Sequence, residues 1–186
     1  MRMKHKTQRC DILRKKNTHG GGAKTNINGL KFEKKMSLME SVIGAGMIVE
    51  NNEILIDGVP AGMVLRQAEI YKNFLVPNGV NWKEVISGEL RPDNAFINYK
   101  NKTAYIIEVK YQEGSGSVDE KLQTCYFKKR QYTKLFSKVG YSVEYIYVCN
   151  DWFKKHKYDD VHEYIKDCGC QLYFNELPLK VLHIND

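Results

Sequence analysis

Three charged residues stand in a stretch that otherwise reads as a core β-hairpin. In RPDNAFINYKNKTAYIIEVKYQ, residues 91–112, two apolar runs flank a polar turn at Lys100-Asn101. Asp93 heads the first run, and Glu108 and Lys110 interrupt the second. A turn between Lys100 and Asn101 makes opposed residue numbers sum to 201, so Phe96 faces Tyr105 and Asp93 faces Glu108. The strand period of two puts Lys110 on the same face as Glu108. Directly opposed side chains have Cβ atoms about 4.5–5.5 Å apart. Two carboxylates that close repel each other, and burial worsens the repulsion. A hard divalent cation such as Mg²⁺ relieves it, because carboxylate oxygens are its natural ligands. With the lysine beside them, the two acids read as a metal-and-phosphate site. The plainer alternative is a solvent-facing edge hairpin in which Lys110 bridges two surface acids. Against it, Phe96-Ile97 and Ile106-Ile107 are consecutive apolar pairs, which suit strands covered on both faces. Pro92 marks the start of the first strand, where proline is tolerated.

Spacing alone does not single out this site. D/E-x-K occurs three times, at Glu33-Lys34-Lys35, Glu108-Val109-Lys110 and Asp119-Glu120-Lys121. The first and last fall on predicted helices, where residues i and i+2 point in different directions. Only Glu108-Val109-Lys110 ends a clear strand, TAYIIEVK.

The elements that must position this hairpin follow from periodicity. A helix is predicted from Asn28, its cap, with Phe32, Met36, Met39 and Ile43 at helical spacing and Gly44 and Gly46 ending it. Residues 47–57 read as paired strands about Asn51-Asn52. Within 58–88, a strand at 61–66, a short helix from Glu69 to Leu75 and a turn at 77–79 are predicted. After the hairpin and a Gly/Ser loop, Val118 to Lys138 reads as one long helix, with Leu122, Cys125, Tyr132 and Phe136 on one stripe and Gly140 as its stop. A β-branched and aromatic strand at 141–149, a helix near 159–166 and a strand at 171–174 complete the chain. The fold class is therefore α/β, a single domain over 28–186 with its core in 28–149 and further elements in 150–186, behind a basic arm at 1–27.

Charge placement points to a polyanion. Residues 1–35 hold eleven Lys/Arg against Asp11 and Glu33, a net +9, and the remaining 151 residues sum to −2. Such an arm fits nucleic acid, with a solubilising tail as the bland alternative. No apolar stretch is long enough to span a bilayer, and none follows the basic N-terminus as a secretory signal requires. The five cysteines are irregularly spaced and read as free thiols in a reducing compartment. Cys168-Gly169-Cys170 with His162 is a partial metal cluster lacking a fourth ligand at zinc-like spacing. GGGAKT is not a phosphate-binding loop, because Ala23 replaces its glycine and no apolar strand precedes it. Tyr126, Tyr132, Trp82 and Trp152 read as packing residues.

Pro92-Asp93, fourteen intervening residues and Glu108-Val109-Lys110 resemble the PD-(D/E)XK nuclease superfamily motif in its literal form. The predicted order of helix, three strands, helix, strand is similar to its common core, a restriction-endonuclease-like central mixed sheet flanked by helices (αβββαβ), with 58–88 as an insertion. The chain as a whole looks most like the small catalytic subunit of a heterodimeric Type IIS restriction endonuclease. The resemblance implies that Asp93, Glu108 and the Val109 carbonyl would ligate Mg²⁺ and that Lys110 would polarise the attacking water. It implies that Glu33, on the first helix, would add an acid, unless Glu33 is simply a solvated helix charge. It further implies double-stranded DNA as substrate, a larger DNA-recognising subunit as partner, and the cytoplasm of a prokaryotic cell as location. Phosphodiester hydrolysis needs a metal and a cation at the phosphate, and the hairpin offers both. Lys121, Lys128, Lys129 and Arg130 could grip the DNA backbone or form a solvated helix face. A homodimeric restriction enzyme, a junction resolvase of the same fold and a non-catalytic nucleic-acid-binding accessory protein are the competing expectations.

Overall fold

The computed structural model describes residues 21–114 and 118–185. Residues 1–20, which carry most of the basic arm and Cys10, lie outside the described residues. Among the described residues the strands form one seven-stranded sheet in the order β1 to β7: Ile48–Glu50, Glu53–Ile56, Val59–Leu65, Asn94–Asn98, Thr103–Lys110, Ser142–Cys149 and Gln171–Phe174. Neighbours are antiparallel up to β5, and β5, β6 and β7 run parallel. The sheet is thus mixed and flanked by helices, the α/β class expected from the sequence.

The central hairpin has the predicted register. Phe96 pairs with Tyr105 and Asn94 with Ile107, all summing to 201. Turn chemistry fixes it: Asn98 Oδ1 accepts from the Lys100 and Asn101 amides at 3.0 and 3.1 Å, and Asn101 Oδ1 accepts from Thr103 N at 3.0 Å. Both faces of β4 and β5 are covered. On one face Ala95, Ile97, Ala104 and Ile106 pack with Leu122, Tyr132, Leu135, Phe136, Tyr145 and Tyr147. On the other, Phe96, Tyr105 and Ile107 pack with Leu38, Val42, Val64 and Leu182. A strand covered twice needs apolar residues at consecutive positions, which accounts for the Phe96-Ile97 and Ile106-Ile107 pairs.

Several expectations change. The single helix expected from Asn28 is two helices, α1 (Gly21–Lys35) and α2 (Leu38–Gly44). Ser37 N-caps α2, its hydroxyl accepting from Glu40 N at 3.4 Å, and Leu38 and Val42 are the residues it buries, whereas Ile43 is exposed. Asn28 is no cap; it lies inside α1 and donates to the Glu113 carboxylate. Within 58–88, β3 is a full member of the sheet between β2 and β4 rather than part of an insertion. The segment Ile70–Leu75 is a π-type turn whose Tyr71 hydroxyl both donates to and accepts from Leu90. The long helix from Val118 is broken into α3 (Val118–Lys121), a 3₁₀ turn and α4 (Cys125–Phe136). Its stripe is correct at Leu122, Cys125, Tyr132 and Phe136, but Tyr126 is exposed rather than packed. The helix α5 (Asp159–Asp167) and β7 fall where the sequence placed them.

Gly62 on β3 is required by close approach. A Cβ there would stand 2.5 Å from the Ile97 carbonyl oxygen and 2.5 Å from the Phe96 ring. Gly62→Ala is expected to lower stability by about 1–3 kcal/mol in urea unfolding, because a buried ring and a strand must both shift.

Candidate active site

Asp93 sits one step before β4, so extending the register places it opposite Glu108, as the sequence implied. Backbone contacts pin the approach to it: Gln67 N donates to the Pro92 carbonyl at 2.8 Å. Asn94, buried next door, accepts from Leu38 N at 3.1 Å and donates to the Met36 carbonyl at 3.3 Å. One asparagine therefore ties the start of α2 to the first residue of β4, next to Asp93. At the other side, Asn150 exchanges hydrogen bonds with Gln112 at 3.1 and 2.9 Å, and its amide donates to the Lys110 carbonyl. That clamp locks the ends of β5 and β6 beside Lys110.

The three charges meet. Asp93 Oδ2 accepts from Val109 N at 2.7 Å. Lys110 Nζ lies 2.7 Å from Glu108 Oε2, 3.2 Å from the Val109 carbonyl oxygen and 3.6 Å from Asp93 Oδ2. Glu108 is buried, and its second oxygen, Oε1, accepts from Lys128 Nζ on α4 at 3.0 Å. Burial pushes the Glu108 carboxyl up, but Lys110 and Lys128 together outweigh it and hold it below the ordinary carboxylate range. Burial raises Asp93, repulsion from Glu108 adds to this, and Lys110 offsets it only in part. Burial would lower Lys110, yet Glu108 and Asp93 hold it above the usual lysine range.

Glu33 on α1 belongs to the same neighbourhood. It lines a cleft of about 290 Å³ with Asp93, Asn94, Glu40, Arg66, Leu30, Lys34 and Ser37. Burial and the field of Asp93 raise its carboxyl, against the pull of Arg66 and Lys110. The helix is seated by Phe32, whose ring centroid lies 5.4 Å from that of Tyr111, just past Lys110.

The donor set fits a hard cation. Among the described residues no group of three or more His, Cys, Asp or Glu side chains is arranged to hold a metal ion. Asp93, Glu108 and the Val109 carbonyl turn three oxygens, the donor type hard cations prefer, toward one positive charge, the Lys110 ammonium. Cys168, Cys170 and His162 form no such group, and the four described cysteines are free thiols. Among the described residues no helix is long and apolar enough to cross a membrane.

The four basic residues expected at DNA are differently placed. Lys128 is bound to Glu108, and Lys129 donates to the Gly169 carbonyl at 2.6 Å. Lys121 and Arg130 are exposed. Arg66 was not visible in the sequence as part of the site; it follows directly on β3, and nothing in its own neighbourhood of the chain marks it. Trp82 and Trp152 are partly buried against the core, the latter donating to the Tyr158 hydroxyl at 2.8 Å.

A family model for the PD-(D/E)XK nuclease superfamily domain matches residues 12–138. That span takes in Glu33, Asp93, Glu108, Lys110 and Lys128. Comparison with curated proteins gives no match, and comparison with solved structures gives none.

Proposed function

The chain belongs to the PD-(D/E)XK nuclease superfamily, and on that premise we propose that it is a Mg²⁺-dependent endodeoxyribonuclease subunit that cuts one strand of double-stranded DNA. In this reading it is the small subunit of a heterodimeric Type IIS restriction endonuclease in a prokaryotic cytoplasm, and a larger subunit recognises the site. The observation that carries the catalytic part is the convergence of Asp93, Glu108 and the Val109 carbonyl on the Lys110 ammonium. The partner reading rests on the resemblance to small catalytic subunits and on the one acid–acid–lysine hairpin, a single active centre for a two-stranded substrate.

Asp93, Glu108 and the Val109 carbonyl would hold the ion. When bound, a divalent cation supplies Lewis-acid stabilisation of the phosphate and lowers the pKa of a water. Lys110 would polarise the attacking water near the phosphate, adding positive charge where negative charge develops. Glu33 and Arg66 line the same cleft, where the Arg66 charge opposes the rise of the Glu33 carboxyl and Arg66 would meet the DNA backbone.

The test is cleavage of supercoiled plasmid with Mg²⁺ or EDTA, by wild type and Asp93→Ala, with and without a candidate larger subunit. Mg²⁺-dependent nicking that disappears in the variant is expected. Equal nicking by both proteins would overturn the assignment.

A further inference from the structure

The Lys110 ammonium stands among the oxygens that the proposed nuclease reading gives to a divalent cation. Its distances are 2.7 Å to Glu108 Oε2, 3.2 Å to the Val109 carbonyl and 3.6 Å to Asp93 Oδ2. A monovalent and a divalent cation cannot share a cage of that size, since like charges a few ångströms apart repel strongly at low dielectric. Glu108 has a second grip that does not compete. Lys128 Nζ lies 3.0 Å from Oε1, and it comes from α4 rather than from the hairpin. The Lys128 side chain is 27% exposed against 15% for Lys110, so Lys128 sits nearer the surface and outside the group of three oxygens.

We propose that Lys110 and the divalent cation are alternative occupants of one oxygen cage, and that Lys128 keeps Glu108 Oε1 throughout. Binding of the cation expels the Lys110 ammonium from Glu108 Oε2, and only then is that ammonium free to meet the phosphate. The lysine thus sets the metal affinity of the site and imposes an order, cation first and phosphate contact second. The inference rests on the nuclease reading and deepens it by naming what regulates metal entry.

The experiment titrates the full chain with Mn²⁺ in a calorimeter, without DNA, as wild type, Lys110→Met and Lys128→Met. Lys110→Gln replaces the methionine variant if circular dichroism shows that the latter does not fold. Both substitutions remove one positive charge beside Glu108, but only Lys110 stands inside the cage. Lys110→Met is expected to bind Mn²⁺ about tenfold more tightly than wild type, and Lys128→Met to gain much less. Equal gains would reduce the effect to general charge, and no gain in Lys110→Met would remove competition; either result overturns the exchange while leaving the nuclease reading intact if wild type cleaves DNA. A wild type that neither binds Mn²⁺ nor cleaves would sink the metal-site reading and the exchange together.

Discussion

Glu108→Gln is expected to lower Mg²⁺-dependent cleavage by about a thousandfold, read as initial nicking rate. The amide keeps the shape of the side chain but loses the charge that would hold the ion. The same substitution is expected to destabilise the fold at neutral pH, because Lys110 and Lys128 both lose the carboxylate between them. Removing one partner of a buried pair costs roughly 3–5 kcal/mol, and part of this is returned because Asp93 loses a like-charged neighbour. The pH dependence follows from the direction of the shift. Glu108 is depressed in the fold, so its contribution is complete above the ordinary glutamate pKa and is lost as pH falls through the depressed value. The stability gap between wild type and variant should therefore close in acid. Lys110 is raised, so on the alkaline side its contribution holds below the ordinary lysine pKa and fades as pH rises through the raised value. A gap in urea midpoint that stays constant from neutral pH into acid would show that the Glu108 charge does not hold this part of the fold.

The hairpin was readable because two local rules act on it at once. Asparagine-rich turn chemistry sets the register, and the period of two sets the face, so Asp93, Glu108 and Lys110 come together from sequence neighbours alone. The helix break at Ser37 was missed because Phe32, Met36, Met39 and Ile43 make a continuous stripe. Ser37-Leu38-Met39-Glu40 has the spacing of a capping box and was the signal that outweighs it. Lys128 and Arg66 were out of reach for a different reason. Lys128 meets Glu108 across 20 residues through the packing of α4 on the sheet, and its neighbours Lys129 and Arg130 look the same in sequence. Periodicity says which face of a helix is apolar; it does not say which of three adjacent cations reaches a buried acid.

Asp93→Asn should separate function from stability in the opposite sense to Glu108→Gln. Cleavage is expected to fall about a thousandfold, since the proposed ion would lose a carboxylate. Without divalent cation and at pH 7, however, the variant should melt about 2–4 °C higher than wild type by differential scanning fluorimetry in EDTA. Asp93 is buried opposite a second carboxylate, and its carboxyl is raised by burial first and by Glu108 in addition. A raised acid is one whose charged form costs the fold at neutral pH, and the fold gains as pH drops through the raised value. Asparagine removes the charge and retains an oxygen for the 2.7 Å bond from Val109 N. The thermal gain should therefore shrink as pH falls through the Asp93 pKa, just where wild type becomes neutral at this position. Glu33, raised by burial and by Asp93, should relax toward the ordinary range in the same variant. A lower melting temperature would mean that attraction to Lys110 at 3.6 Å outweighs burial and repulsion combined, and that Asp93 is a structural ion-pair partner. Two acids that face each other across one pair of strands, one stabilising and one costly, are the arrangement the proposed cation site calls for.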